Sequence, residues 1–395
     1  MGVFFCKVGA AQYGARPDQF QTRVLSRPSR DARSQSSSRP STAAKRKMLV
    51  LTAAALGCSD FYMPIANTSY RMSVRTMDLG ADGGWNLTTV PKGLARAQRP
   101  VPPVGSALSW TSKYGYLGFA SAKYGFPIDN AIGEALNEKG LSCGALALTP
   151  SKMTEASASK ANLHFSYLCQ WAVELYSTVA EVRTALEKEV QLWGHGTQGM
   201  DYTHWVLRDA TGMSLVVETP ADGTLHLHDD PNDGANGFGI MTNEPVFEYH
   251  IANAQHLAWK RTLVRQAVPV PGSWYPEDRF MRVLMSKQTM PPPSSLQHAV
   301  AQAVGVLNTI TVPMGSPPGT DSGPHSAEMG ESDHSLWGVI RDHASPAVYW
   351  RSAYNPSLQR LRLADVDLSK GAPVKHLAVS AGPWFADAKG ALAPA

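Results

Sequence analysis

Cysteine is scarce in this chain: Cys6, Cys58, Cys143 and Cys169 are the only four in 395 residues. That excludes a disulfide-stapled scaffold. Long apolar runs are missing too. The stretch Met48–Leu56 is nine residues, against about 20 for a membrane-spanning helix, and no later stretch approaches that length. A soluble protein without stable membrane insertion is expected. A basic surplus is lacking where a fold could use it. The formal charge is +4, but residues 1–57 hold ten Lys and Arg against Asp18 and Asp31. Beyond them stand 26 basic and 30 acidic residues, a net −4, with no basic stripe interleaved with aromatics. Nucleic acid is therefore not an expected partner. No internal repeat is visible. What is present is 43% hydrophobic residues, enough for a substantial core in one large domain or two ordinary ones.

The leader differs in kind from the rest. Residues 15–47 are rich in Arg, Ser, Pro and Gln and nearly free of acids ("RVLSRPSRDARSQSSSRPSTAAKRK"). Such a composition cannot bury enough apolar surface to offset chain entropy, so disorder is expected over 1–47. It also suits an organelle transit peptide, or an upstream extension ahead of translation from Met48. Residues 45–58, "KRKMLVLTAAALGC", run from a basic cluster through an apolar and small-residue stretch into Cys58. That is the order of an export signal, with 48–57 as the signal or propeptide segment. Export to the periplasm or the exterior is the simplest localisation; an organelle lumen after import is the alternative. Cleavage before Cys58 leaves three cysteines and hence at least one unpaired thiol. Asn67 and Asn86 stand in glycosylation sequons, which matter only on a eukaryotic secretory route.

From Cys58 onward the pattern is globular. "MSVRTMDL" (72–79) and "LTTVPKG" read as strands, "RAQRPVPPVGSA" (96–107) as a Pro-rich loop, and "ALSWTSKYGYLGF" and "EKGLSCGALAL" as further strands. Leu163, Tyr167, Trp171 and Leu175 fall at helical spacing and predict a buried helix face over 161–176. Thr178 with Glu181 forms a capping box ahead of Val179, Val182 and Leu186, predicting a second helix. "YTHWVLRD", "MSLVVET" and "TLHLH" read as three strands joined by the hairpin turns "DATG" and "PADG". Residues 310–334 read as a surface loop, and "AVYWRSAYNPSLQRLRLADVDL" as two strands across an Asn355–Pro356 turn. Clustered strands around a central helix pair argue for one α+β domain over 58–395.

The chemistry-bearing pieces come in a fixed order. After Cys58 follow Arg75 and Asp78 in "VRTMD", then "SKYGYLG" (112–118), "LNEKGLSCGALAL" (136–148), "MTNEPVFEYH" (241–250) and "DRFMR" (278–282). From Cys58 to about Leu368 this set resembles the choloylglycine hydrolase and penicillin V acylase family of N-terminal nucleophile (Ntn) amide hydrolases. "NEKGL" and "TNEP" followed by an aromatic residue are its most specific parts. The resemblance implies a four-layer αββα sandwich, activated by autoproteolytic or signal removal before Cys58, with no cofactor and no metal. It implies Cys58 as nucleophile, Asp78 orienting the freed amine, Arg75 and Arg279 supplying positive charge at the sulfur, and Asn243 donating to the oxyanion. Family members are often homotetramers. Elementary chemistry agrees with the nucleophile: an N-terminal cysteine carries its own base, an α-amine with an unperturbed pKa of about 7.7–8. A nearby arginine would favour the thiolate. Two positions depart from the family pattern: Ala147 stands where Asn or Tyr is common, and Leu79 where an aromatic is common. With Met77 they suggest a smooth apolar pocket.

Plainer readings stand beside these. Cys58 as a lipid-attachment cysteine fits imperfectly, because Leu56 is one position too late. Arg75 and Asp78 alone would make an ordinary strand-end ion pair, Asn243 a turn former before Pro245, and Arg279 a surface charge. Asn137 and Glu138 read as a tight turn. "HLHDD" (226–230) places His226 and His228 on one side of an edge strand, but no third metal ligand of matching spacing follows. His195 and His204 read as loop and strand residues, and Cys143 and Cys169 as small buried hydrophobes. The expectation is a hydrolase of linear, non-peptide amides acting on an N-acylated small molecule: a penicillin-type amide, a conjugated bile acid or an N-acyl homoserine lactone. The alternative is an exported or lipid-anchored binding protein of the same fold without activity.

Overall fold

The computed structural model describes residues 58–388 apart from 65–68, 80–83, 100, 122–131, 150, 195–201, 235, 264–268 and 316–333. The leader 1–47, the segment 48–57, Asn67, His195 and most of the loop 310–334 lie outside the described residues.

β-Branched and aromatic runs broken by turn residues form the strands. The first seven are β1 (Ser59–Tyr62), β2 (Met72–Leu79), β3 (Asn86–Val90), β4 (Ala95–Ala97), β5 (Ser106–Ala107), β6 (Ser109–Thr111) and β7 (Tyr116–Ala120). Then come β8 (Ile132–Asn137), β9 (Ser142–Ala147), β10 (Ala161–His164), β11 (Val190–Trp193), β12 (Thr203–Arg208), β13 (Ser214–Glu218) and β14 (His226–Asp229). The last are β15 (Ile240–Thr242), β16 (His334–Asp342), β17 (Ala347–Ser352), β18 (Gln359–Arg362) and β19 (Lys375–Ala378). The helices are α1 (Leu168–Leu175), α2 (Val179–Lys188), α3 (Phe247–Leu263), α4 (Pro276–Gln288) and α5 (Leu296–Ile310).

Two large sheets result. One has six strands in the order β15-β1-β2-β16-β17-β18; the other has eight, β14-β13-β12-β9-β8-β7-β3-β19. Burial falls into three apolar clusters. Met77, Trp337 and Val339 of the first sheet meet Leu117, Phe119, Leu136 and Val206 of the second. The other side of the eight-stranded sheet (Tyr116, Cys143, Leu207, Leu215) packs with Trp171, Val182 and Leu186 of α1 and α2. Phe61, Val74 and Ile340 of the six-stranded sheet pack with Phe280, Ala303 and Leu307 of α4 and α5. The fold is thus α+β, with mixed helices and sheets.

Several expectations are met residue for residue. "MSVRTMDL" is β2. The Thr178 side chain caps α2 in a full capping box with Glu181. β12, β13 and β14 form an antiparallel meander, and β17 and β18 pair across Asn355–Pro356. The Asn137–Gly140 turn is structural as expected: Asn137 Oδ1 accepts from the Lys139 and Leu141 N–H groups. Gly140 has φ +86°, and a Cβ there would lie 2.1 Å from the His343 carbonyl oxygen.

Others are corrected. The helix over 161–176 starts only at Leu168: Leu163 lies on β10, whose parallel pairing with β11 overrides the helical spacing. Cys143 and Cys169 are not free thiols but a disulfide joining β9 to α1. Helices α3, α4 and α5 were not anticipated, although Pro276 with Glu277 and Asp278 marks the start of α4 and Ser295 caps α5.

Candidate active site

The spacing between Cys58 and Arg75/Asp78 is produced by one antiparallel pair. β1 and β2 run in register Ser59↔Thr76 and Asp60↔Arg75, which sets Cys58, just before β1, beside Met77. The Cys58 Sγ lies 3.8 Å from the Met77 Sδ. Because strand side chains alternate, β2 presents Arg75 and Met77 to the eight-stranded sheet and Thr76 and Asp78 to the opposite side. Cys58 is therefore approached from both faces of one strand.

On the inter-sheet side, Arg75 is fully buried. Its guanidinium donates to the carbonyls of Gly133 and Ala145 and pairs with Glu134 at 3.2 Å. Gly144 in "SCGAL" makes room for it: a Cβ there would lie 2.5 Å from the Arg75 Nη1. Trp337 packs under the guanidinium at 5.7 Å.

On the helix side, the Ser335 hydroxyl donates to Asp78 at 2.5 Å and the Thr76 hydroxyl at 3.2 Å. A bulge between Ser335 and Trp337 in β16 aims that serine. Arg279, carried by α4, stands 3.9 Å from the Asp78 carboxylate. Burial pushes the Asp78 carboxyl up to about 6, against the pull of Arg279, Ser335, Thr76 and Arg75.

Arg279 ties the site together. It donates to the Cys58 carbonyl and the Ser59 hydroxyl, both at 2.7 Å, and to the Asn243 Oδ1 at 2.9 Å. The same Asn243 oxygen accepts the Cys58 N–H at 2.6 Å, while its Nδ2 donates to the Ala147 carbonyl at 2.9 Å. Asn243 is placed by the pairing of β15 with β1 (Ser59↔Thr242). Behind it, His250 Nε2 lies 3.2 Å from the Asn243 carbonyl oxygen and its ring stacks on Phe280 at 4.9 Å. Burial pushes the His250 imidazole down to about 4, so it is neutral and donates to that carbonyl.

The sequence-derived residues Cys58, Arg75, Asp78, Asn243 and Arg279 are thus gathered into one buried cluster, with Met77 at the sulfur and Ala147 against Asn243. Leu79 packs at the edge of the inter-sheet core. Two details differ from expectation. The Cys58 nitrogen is held by Asn243 rather than by Asp78. The thiol pKa is raised, because burial outweighs the opposing pull of Arg75 and Arg279. Thr76, Ser335, Glu134 and His250 were not anticipated. Ser335 and Glu134 become partners only through strand pairing and sheet stacking, and no local pattern marks them, whereas Thr76 reaches Asp78 two residues along the same strand. Ten residues, including Trp85, Leu336, Trp337, Tyr354 and Val379, line a cavity of about 220 Å³. Trp85 is a neighbour of Met77: both side chains lie 3.5 Å from a Cβ built on Gly133.

Known proteins resemble this chain in sequence and in fold. A bile salt hydrolase/transferase of Clostridium perfringens is 27% identical over 227 residues, covering 52% of this chain and 66% of that protein, just under two thirds of its length. The structure of penicillin V acylase from Agrobacterium tumefaciens superposes with a TM-score of 0.65 at 25% identity, covering 81% of this chain and 91% of the other. A mutant of conjugated bile acid hydrolase from Clostridium perfringens, at 21% identity, shares the fold with a TM-score of 0.64, covering 81% of this chain and 96% of the other. The model of the linear amide C–N hydrolases, choloylglycine hydrolase family, matches residues 63–374, beginning just after the cysteine around which the buried cluster is built. The chain belongs to that family.

Proposed function

We propose that this chain is an N-terminal cysteine hydrolase that cleaves a linear, non-peptide amide in an N-acylated small molecule. The observation that carries the reading is the buried Cys58 thiol with its own nitrogen held, 2.6 Å away, by an Asn243 that Arg279 also grips. The three apolar clusters support the four-layer αββα arrangement of Ntn hydrolases. The 1% exposure of Cys58 counts against a lipid on its sulfur.

Scission of the Gly57–Cys58 bond turns the Cys58 nitrogen into an α-amine. Because burial lifts the thiol pKa, a standing thiolate is not available, and the amine takes the Sγ proton as the sulfur attacks the amide carbon. One Asn243 Nδ2 proton is held by the Ala147 carbonyl; the other is available to the oxyanion. The α-ammonium then protonates the leaving amine, and water hydrolyses the thioester. Asn243 and Arg279 keep the amine and carbonyl of Cys58 in place, and Asp78 stands behind Arg279.

The acyl group is proposed to lie along Met77, Leu79 and Ala147 toward the cavity walled by Trp85 and Trp337, which favours an apolar acyl chain. The Cys143–Cys169 disulfide supports an oxidising compartment, in line with export. A homotetramer, as in many family members, completes the proposal.

The test joins mass and rate. Intact-mass analysis of the mature protein is expected to show an unmodified Cys58 at the amino terminus. Penicillin V, a glycine-conjugated bile acid and a long-chain acyl homoserine lactone form the assay panel. Cys58→Ser is expected to lose about a thousandfold or more in rate with its thermal unfolding unchanged. A diacylated Cys58, a retained residue 57, or wild-type rates in the variant would overturn the reading.

A further inference from the structure

The pair His226 and His228 is left unexplained by the amide chemistry. Both lie on β14, the edge strand of the eight-stranded sheet. Two residues apart on a strand, they face the same way, and their rings sit 5.8 Å apart. The sequence offers no third ligand nearby, but the fold brings one. Glu248, in the first turn of α3, comes to 4.0 Å from His228 Nδ1. One ligand atom from each of His226, His228 and Glu248 lies within 4.8 Å of the other two. Among the described residues no direct hydrogen bond joins any two of them. Two nitrogens and a carboxylate oxygen thus surround a gap slightly wider than one ion would leave, since ligands about 2.0–2.2 Å from a zinc ion stand up to about 4 Å apart. Glu248 is exposed, so its side chain is free to close the remainder.

The surroundings resemble the supporting shell of a metal site. The buried carboxylate of Glu218 lies 3.8 Å from His228 Nε2, on the ring edge away from Glu248. A carboxylate there orients a ligating imidazole and fixes its tautomer. Glu218 is itself anchored, accepting the Phe247 N–H at 3.1 Å and bonding His204 at 2.9 Å. On His226, Nε2 meets the Thr224 hydroxyl at 2.8 Å, which holds that ring from one side.

We propose that His226, His228 and Glu248 form a binding site for a divalent first-row transition cation such as Zn²⁺. Two imidazoles and one carboxylate suit that class better than Ca²⁺ or Mg²⁺, which want oxygen ligands alone. The ion would pin the first turn of α3 to the sheet edge. α3 begins four residues after Asn243, so the site is a clasp on the segment that carries a catalytic group, not part of the reaction.

Chelator-treated full-length protein titrated with Zn²⁺ in a calorimeter, and with Co²⁺ followed by visible absorption, is the test. One equivalent should bind and raise the unfolding temperature. His228→Ala and Glu248→Gln should each weaken binding by about tenfold or more, and His226→Ala/His228→Ala should abolish it together with the thermal shift. The three side chains are at least partly exposed, and far-UV circular dichroism verifies that the variants fold. No binding by the wild type, or undiminished binding and thermal shift in the double variant, would overturn the proposal.

Discussion

At the residue scale, Asp78 carries two opposed demands. The proposed mechanism wants a carboxylate facing Arg279 beside Cys58, yet burial raises its pKa to about 6. The folded chain therefore holds the proton more tightly than the unfolded one. The stability contributed by this group is fully present below the unfolded carboxylate pKa and is lost as pH rises through about 6. At neutral pH the ionised group costs on the order of 3 kcal/mol. Asp78→Asn is thus expected to stabilise the fold by up to about 3 kcal/mol near pH 7.5, a gain that vanishes near pH 4. Its amide hydrolysis is expected to fall by about a hundredfold or more. Urea unfolding at the two pH values, beside a rate assay, checks both; lower stability at neutral pH would show that the carboxylate is held by its partners more strongly than burial opposes it. The identities of the five clustered residues were legible in the sequence because their order along the chain is a family pattern. Their contacts were not: that Asn243 rather than Asp78 grips the Cys58 nitrogen depends on how β15 lies beside β1.

At the scale of single elements, legibility follows locality. The capping box of α2 is a contact between residues three apart, and it was readable. Thr178→Ala should cost about 1 kcal/mol, seen as a lower urea midpoint with unchanged slope. The Cys143–Cys169 disulfide joins residues 26 apart on different elements. Nothing local announces it, because the two sulfurs meet only when α1 packs on β9. Closing a loop of that length is worth about 3 kcal/mol. Cys143→Ala/Cys169→Ala should lose about that much in denaturant unfolding; a loss near zero would mean that residual structure keeps the two segments close in the unfolded chain. The same division explains the helices. α2 announced itself through its cap, whereas the start of α1 was misplaced because β10 takes Leu163 into a parallel pair.

At the scale of the whole molecule, the two sheets are joined near the site by a buried set of charges. Arg341 reaches Asp60 at 2.5 Å and Glu134 at 3.1 Å, Arg208 reaches Asp60 at 2.6 Å, and Arg75 shares Glu134. Burial pushes both carboxyls up. Arg341, Arg208 and Arg75 together bring Asp60 below the usual range, while Glu134 stays raised. Removing one cation strands charge in a low-dielectric interior. Arg341→Met should therefore destabilise by about 3 kcal/mol or more, with Arg341→Lys recovering part of it. Guanidinium unfolding of the pair measures this, and a neutral Met variant would show the set to be replaceable by apolar packing.

The sequence by itself determined what depends on residue order and near neighbours. That covers the strands over 72–79 and 203–229, the α2 cap, the Asn137–Gly140 turn, and the ordered set Cys58, Arg75, Asp78, Asn243 and Arg279. Tertiary structure alone decided what depends on pairing across large separations. It brought Ser335 to Asp78 and Glu134 to Arg75, joined Cys143 to Cys169, and set Glu248 beside His226 and His228. The physical reason is that strand register and helix packing are chosen by burial summed over many side chains. A partner on a different element, well beyond one helical turn or hairpin along the chain, leaves no local mark of that choice.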